Sequence, residues 1–131
     1  QEHFNTQLQA LEENLRTDIR QKKKVVLRTL ENIFLVDMHD ITYCGSDGCY
    51  TTIHLVDGEH IMVSRTLHEF DLMLSEQGFY RVHKSYLINL LHIKRFEKQE
   101  GGYIILNDNH KVPVASRKRE ELMSLFNKLA E

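Results

Sequence analysis

Cysteine occurs only twice in this 131-residue chain. Two thiols are too few for a disulfide framework, and the reducing cytosol expected here keeps them free. Cys44 and Cys49 flank "GSDG", where a hairpin would bring them close together, and they are read as two small, partly buried residues. No apolar run approaches the ~20 residues needed to cross a bilayer, so no membrane partner is expected. No secretory signal precedes the first amphipathic segment, which makes a cytoplasmic address the default. The chain opens on Gln1 and not on Met, as expected of a piece of a longer protein. Neither G-x-x-x-x-G-K-[ST] nor G-x-G-x-x-G is present, which excludes nucleotide binding by those devices. No G-x-S-x-G elbow is present either, and Ser85 near His83 is by itself no catalytic arrangement.

What the chain does contain is ordinary for a soluble globular protein: 41% hydrophobic and 27% charged residues, enough length for one domain with a real core. The net charge of −2 conceals an asymmetry. Residues 31–78 carry nine acids against one cation, Arg65, whereas residues 79–119 carry nine lysines and arginines against Glu97, Glu100 and Asp108. Such a division suggests an anionic partner for one face, or acidic and basic halves that pair internally.

The periodicity changes along the chain. Phe4, Leu8, Leu11, Leu15 and Ile19 form one apolar stripe of an amphipathic helix over residues 4–20, ending in Lys22, Lys23 and Lys24. This helix is expected to connect to an upstream domain or to form a dimer contact, so residues 1–23 are assigned as a linker and 24–131 as the domain. From Val25 the segments are short and rich in β-branched and aromatic residues, separated by "GSDG", Asp57-Gly58, Gly101-Gly102 and "NDN". That pattern predicts a mainly β, mostly antiparallel architecture. A short helix follows Thr66, whose spacing to Glu69 is that of a capping box, and stops at Gly78; Leu67, Phe70, Met73 and Leu74 are its core face. A C-terminal helix is expected with Ser116 as N-cap and Leu122, Leu125, Phe126 and Leu129 as its stripe.

Two features point to chemistry. In "GFYRVHKSYLINLLHI", residues 78–93, Arg81, His83 and Lys84 stand among apolar residues; a half-buried strand separates polar from apolar side chains, and here the polar ones are mostly cationic or imidazole. In the C-terminal helix, Arg117, Lys118 and Arg119 occupy the first turn, where the macrodipole disfavours positive charge by a few tenths of a kcal/mol each. A helix N-terminus favours phosphate, so this broken local rule suggests function. Together with Lys94, Arg95, Lys98 and Lys111 these cations suit a phosphate-tracking surface. Phe79, Tyr80, Tyr86 and Phe96 are available to stack bases but on strands fit the core better. His39, Cys44, Cys49 and His54 recur every five residues, a spacing that lacks the close ligand pairs of a zinc site. No metal, cofactor or catalytic activity is expected.

The order of residues is more specific than their charge. Asp40-Ile41-x-Tyr43 is followed by Phe79-x-Arg81-Val82-His83-Lys84-Ser85-Tyr86-Leu87-Ile88-Asn89, Ile93, and then Val112-Pro113-Val114. From about Lys24 onward this resembles the LytTR family of bacterial DNA-binding domains. The resemblance implies an elongated arrangement of short strands in three small sheets, with a mid-chain helix and a C-terminal helix. It also implies DNA reading through loops that reach neighbouring grooves. Those loops correspond to Asp47, Gly48, Cys49 and Tyr50; to the turn at Lys84, with Arg81 beside it; and to the basic segment at Arg117. "VPVASR" has one residue more than the family's "VPVSR", so Ser116 or Arg117 takes the place of the family's usual arginine, with Lys118 sharing its role and Arg119 adjoining. His83, Ser85 and Asn89 are read as structural, tying down backbone groups of the turn. The implied partners are promoter DNA with direct repeats, a second protomer on that DNA, and an upstream receiver or sensor domain of a two-component system. The readings from other classes are a protein-interaction module whose basic face docks an acidic partner and, more weakly, a single-stranded RNA binder.

Overall fold

A computed structural model describes residues 6, 9–13 and 24–130. Of the expected helix over residues 4–20, Thr6 and Gln9–Glu13 are helical and Leu11 is exposed; the remainder lies outside the described residues.

Among the described residues, short segments with alternating burial form ten strands in three antiparallel sheets. β1 (Lys24–Arg28) and β2 (Ile33–Asp37) make a two-stranded sheet, with Val25 and Leu27 inward and Val26 and Arg28 outward. The central sheet has five strands in the order β5-β4-β3-β7-β6: β3 (Ile41–Asp47), β4 (Tyr50–Leu55), β5 (His60–Val63), β6 (Phe79–His83) and β7 (Tyr86–Asn89). β8 (Ile93–Glu97), β9 (Tyr103–Leu106) and β10 (Lys111–Pro113) form the third sheet. Among the described residues from 24 onward, two α-helices complete the fold, α1 (Leu67–Leu74) and α2 (Ser116–Leu129).

Period-two alternation sends neighbouring residues of β3 to opposite faces of the central sheet, so it carries two cores. Cys44, Ile53 and Leu87 join Val25, Leu27 and Val36 of the first sheet and Leu67, Phe70 and Leu74 of α1. Tyr43, Val82 and Ile88 join Ile104, Leu106 and Val112 of the third sheet and Leu122 of α2. Thr42, Thr51 and Asn89, the buried polar residues of this interior, are hydrogen-bonded. Asn89 donates to the Ile41 carbonyl at 2.9 Å and accepts from the Leu91 amide at 3.0 Å.

The capping box at Thr66 is present, its hydroxyl oxygen accepting the Glu69 amide at 3.2 Å, and Gly78 ends the helical segment with φ +90°. Within residues 78–93 a turn at Lys84 and Ser85 folds β6 back onto β7. Two local expectations need correction. The N-cap of α2 is Ala115 and not Ser116, since Ala115 holds the extended backbone and its amide is drawn to the Val82 carbonyl at 2.8 Å. Leu129 is exposed, because the layer that covers Leu122 does not extend to the helix end.

Candidate nucleic-acid interface

The hydrogen-bond register of the central sheet brings separate loops to one end. Asp47 pairs with Tyr50, so the β3–β4 hairpin turns through Gly48 and Cys49; Gly48 has φ +65°, where a side chain is strained. Cys49 and Tyr50 are exposed at this tip. On the neighbouring ladder Gly45 lies opposite Tyr86, and the Ser46 amide donates to the Ser85 carbonyl at 2.9 Å. The hairpin and the Lys84 turn therefore sit side by side. A further bond, from the Ala115 amide to the Val82 carbonyl, attaches the start of α2 to the same end.

The Lys84 turn is built by its neighbours. Arg81 Nη2 donates to the Lys84 carbonyl at 2.6 Å, and the Ser85 amide donates to His83 Nδ1 at 3.1 Å. In the second bond Nδ1 of His83 is the acceptor, which leaves Nε2 as the ring's donor. Lys84 itself remains exposed. The His83 and Asn89 side chains thus hold backbone groups in place, whereas Ser85 takes part through its main chain.

Arg81, Lys84, Arg117 and Lys118 line one groove of about 290 Å³, together with His83, Ala115 and Asp71. Folding thereby joins two basic segments that lie more than thirty residues apart in the chain. The Lys118 ammonium lies 5.4 Å from the centre of the Tyr80 ring, and Ser116 is exposed beside the groove. Burial and the nearby Glu121 carboxylate push the Tyr80 hydroxyl up to about 12, so the ring meets Lys118 as a neutral phenol.

The remaining cations of residues 79–119 do not all gather there. Arg119 turns away, its guanidinium donating to the Gly101 carbonyl and lying against Gly102. Arg95 pairs with Glu97 at 3.0 Å, Lys94 donates to Asn109 at 3.4 Å, and Lys111 lies 4.4 Å from the centre of the Tyr103 ring. These three belong to the third sheet. Among the aromatics, Phe79 is buried and Tyr80, Tyr86 and Phe96 are partly buried against the second core.

Cys44 is fully buried opposite Ile53, which pushes its thiol up to about 12, while Cys49 is at the exposed tip; the pair is neither adjacent nor uniformly part-buried. No cluster of three histidine, cysteine, aspartate or glutamate side chains suited to a metal ion occurs among the described residues. His54 instead stacks on Tyr43, with ring centres 4.1 Å apart. Asp71 is the groove residue that sequence reading missed. It sits on α1, and only the packing of α1 across the sheet brings it to Arg81.

This end of the sheet gathers four cations, with Asp71 among them, into one groove. The chain belongs to the LytTR family: the LytTr DNA-binding domain matches residues 31–127. It is 34% identical over 86 residues to the CO-responsive transcriptional regulator RcoM of Rhodospirillum rubrum, covering 66% of this chain and 36% of that protein. It is 30% identical over 105 residues to the sensory transduction protein LytT of Bacillus subtilis, covering 79% and 43%. The chain thus spans less than half the length of these curated relatives. A solved LytTr DNA-binding domain from Bacillus cereus shares the fold, with a TM-score of 0.70 at 21% identity, covering 80% of this chain and 97% of that one. The three small antiparallel sheets with a few helices are the architecture of that domain.

Proposed function

We propose that residues 24–131 are the sequence-reading output domain of a bacterial transcriptional regulator. The domain docks the loop-bearing end of its central sheet on duplex DNA, the β3–β4 hairpin and the Lys84 turn entering or bridging grooves. One observation carries this reading. Two backbone hydrogen bonds, Ser46 to Ser85 and Ala115 to Val82, hold three loops in a fixed row beside a groove of four cations. A rigid row of this kind suits a polyanion of regular pitch.

Within that row Lys84, Arg117 and Lys118 supply charge to phosphates, and Arg81 supplies charge and holds the turn. Asp47, Cys49, Tyr50 and Ser116 are placed to approach bases or sugars. Arg119, bound to Gly101, is left out of the contact set. Residues 1–23 link the domain to an upstream receiver or sensor domain of a two-component regulator in the cytoplasm. Two protomers occupy a pair of direct repeats.

Selection from a random duplex library at about physiological salt tests the reading, because non-specific binding is then weak. The expected product is two similar half-sites ~10–11 bp apart between centres, one helical turn. Engagement of phosphates by all four groove cations gives a log affinity versus log salt slope of about −3.6. Binding that is indifferent to sequence would contradict the proposal and turn attention to an acidic protein as the partner of the groove.

A further inference from the structure

A fourth loop reaches the same end of the sheet. β5 pairs with β4 so that Val63 lies opposite Thr51, and Thr51 is one residue from the exposed Tyr50 of the hairpin tip. The chain leaving β5 is fastened there: the Thr51 hydroxyl, on a fully buried residue, donates to the Arg65 carbonyl at 2.7 Å. Arg65 is the one cation among residues 31–78, otherwise rich in acids. Its side chain is half exposed and its guanidinium held only loosely, with Nε 4.0 Å from the Glu69 carboxylate. An exposed pair of this geometry contributes little to stability, so the fold gains little by retaining it.

We infer that Arg65 is a DNA-backbone anchor on the far flank of the contact row, an inference that rests on the duplex-binding reading above. The strand order places β5 at one edge of the central sheet and β6, with Arg81, at the other. With neighbouring strands ~4.8 Å apart, four steps put the two flanks ~19 Å from each other. That span exceeds the width of either groove of B-DNA, ~12 and ~6 Å. Arg65 and the Arg81–Lys84 cluster therefore meet phosphates on opposite sides of a groove, with the β3–β4 hairpin between them. Such a clamp fixes the angle at which the hairpin enters and carries no base preference of its own. Glu69, one helical turn away, competes with the phosphate for the same guanidinium.

The test compares the whole chain with its Arg65→Ala, Glu69→Gln and Lys84→Ala variants on the selected duplex between 50 and 200 mM salt. Loss of one phosphate contact makes the affinity ratio between those salts smaller by about 3.5-fold, as a slope change of about 0.9 requires. Discrimination against a mismatched duplex is unchanged by Arg65→Ala. Trimming the duplex from one end weakens the parent and leaves Arg65→Ala indifferent. Glu69→Gln tightens binding only while Arg65 is present. The bond to Thr51 uses the main chain of Arg65, so its side-chain variants keep the loop; Arg65→Gln with an unchanged melting temperature repeats the measurement. The inference is overturned when Lys84→Ala lowers the salt slope and both Arg65 variants leave it at the parental value. A parent that binds no duplex removes the functional reading and this inference with it.

Discussion

Arg81 separates the positioning of a loop from the charge of a groove. Arg81→Lys retains the cation but removes the Nη2 donor that holds the Lys84 carbonyl at 2.6 Å. A hydrogen bond from a charged donor contributes ~1.5–3 kcal/mol when well shielded, and this one is exposed, which reduces it to about 1 kcal/mol. For a domain of this size that lowers the melting temperature by about 4 °C. DNA must then re-order the turn on binding, so the same free energy reappears as affinity about fivefold weaker. The salt slope stays at the parental value because no charge is lost. Arg81→Ala weakens the turn equally and also makes the slope shallower by about 0.9. Fluorescence anisotropy across a salt series, alongside thermal unfolding, separates the two effects. The reasoning is refuted if Arg81→Lys binds and melts like the parent, or if it changes the slope as Arg81→Ala does.

Three other perturbations follow from the same geometry. Asp71→Asn removes the carboxylate from a groove otherwise lined by cations, and is expected to tighten duplex binding by about two- to threefold, consistent with the ~0.5 kcal/mol of a half-exposed charge pair, as read by anisotropy. Gly102→Ala would place a Cβ 2.9 Å from Phe96 Cζ at a φ of +95°, so calorimetry should show about 2–3 kcal/mol of lost stability through overpacking and left-handed strain. For His54, burial first, then the nearby His110 and His60, hold the imidazole below its ordinary 6.5, with Asp108 opposing them. The unfolded chain then binds more protons than the folded one, so stability is full above pH ~6.5 and falls as pH drops towards the folded value. His54→Phe keeps a ring over Tyr43 without the titration, and urea midpoints at pH 7 and pH 5 should differ less than in the parent.

Much of the fold is legible locally. Thr66 and Glu69 announce their helix because a capping box is a contact between residues three apart, and the strand segments show themselves through β-branched residues between turn signals. The Lys84 turn is harder to see. It contains no glycine, proline or asparagine, and is held instead by His83 Nδ1 and the Arg81 guanidinium. Ser116 looks like a helix cap by type, yet a tertiary bond from Ala115 to Val82 shifts the boundary by one residue. The charge asymmetry of the chain is plain in the residue order, but its division is not. Whether Arg117 and Arg119, two positions apart, face the groove or the Gly101 carbonyl depends on the rotation of α2 against the third sheet. Asp71 entered the groove through the packing of α1, which no spacing rule connects to Lys84.

The proposed docking mode sets one end of the five-stranded sheet against DNA. Amide chemical-shift mapping of the labelled chain with the selected duplex tests it most directly. The account predicts shifts concentrated at Asp47–Tyr50, Arg81–Ser85 and Ser116–Lys118, with the β1–β2 turn at Leu30 and Glu31 unmoved. Shifts centred on that turn or on the outer face of the third sheet, with the hairpin and Lys84 unaffected, would contradict it.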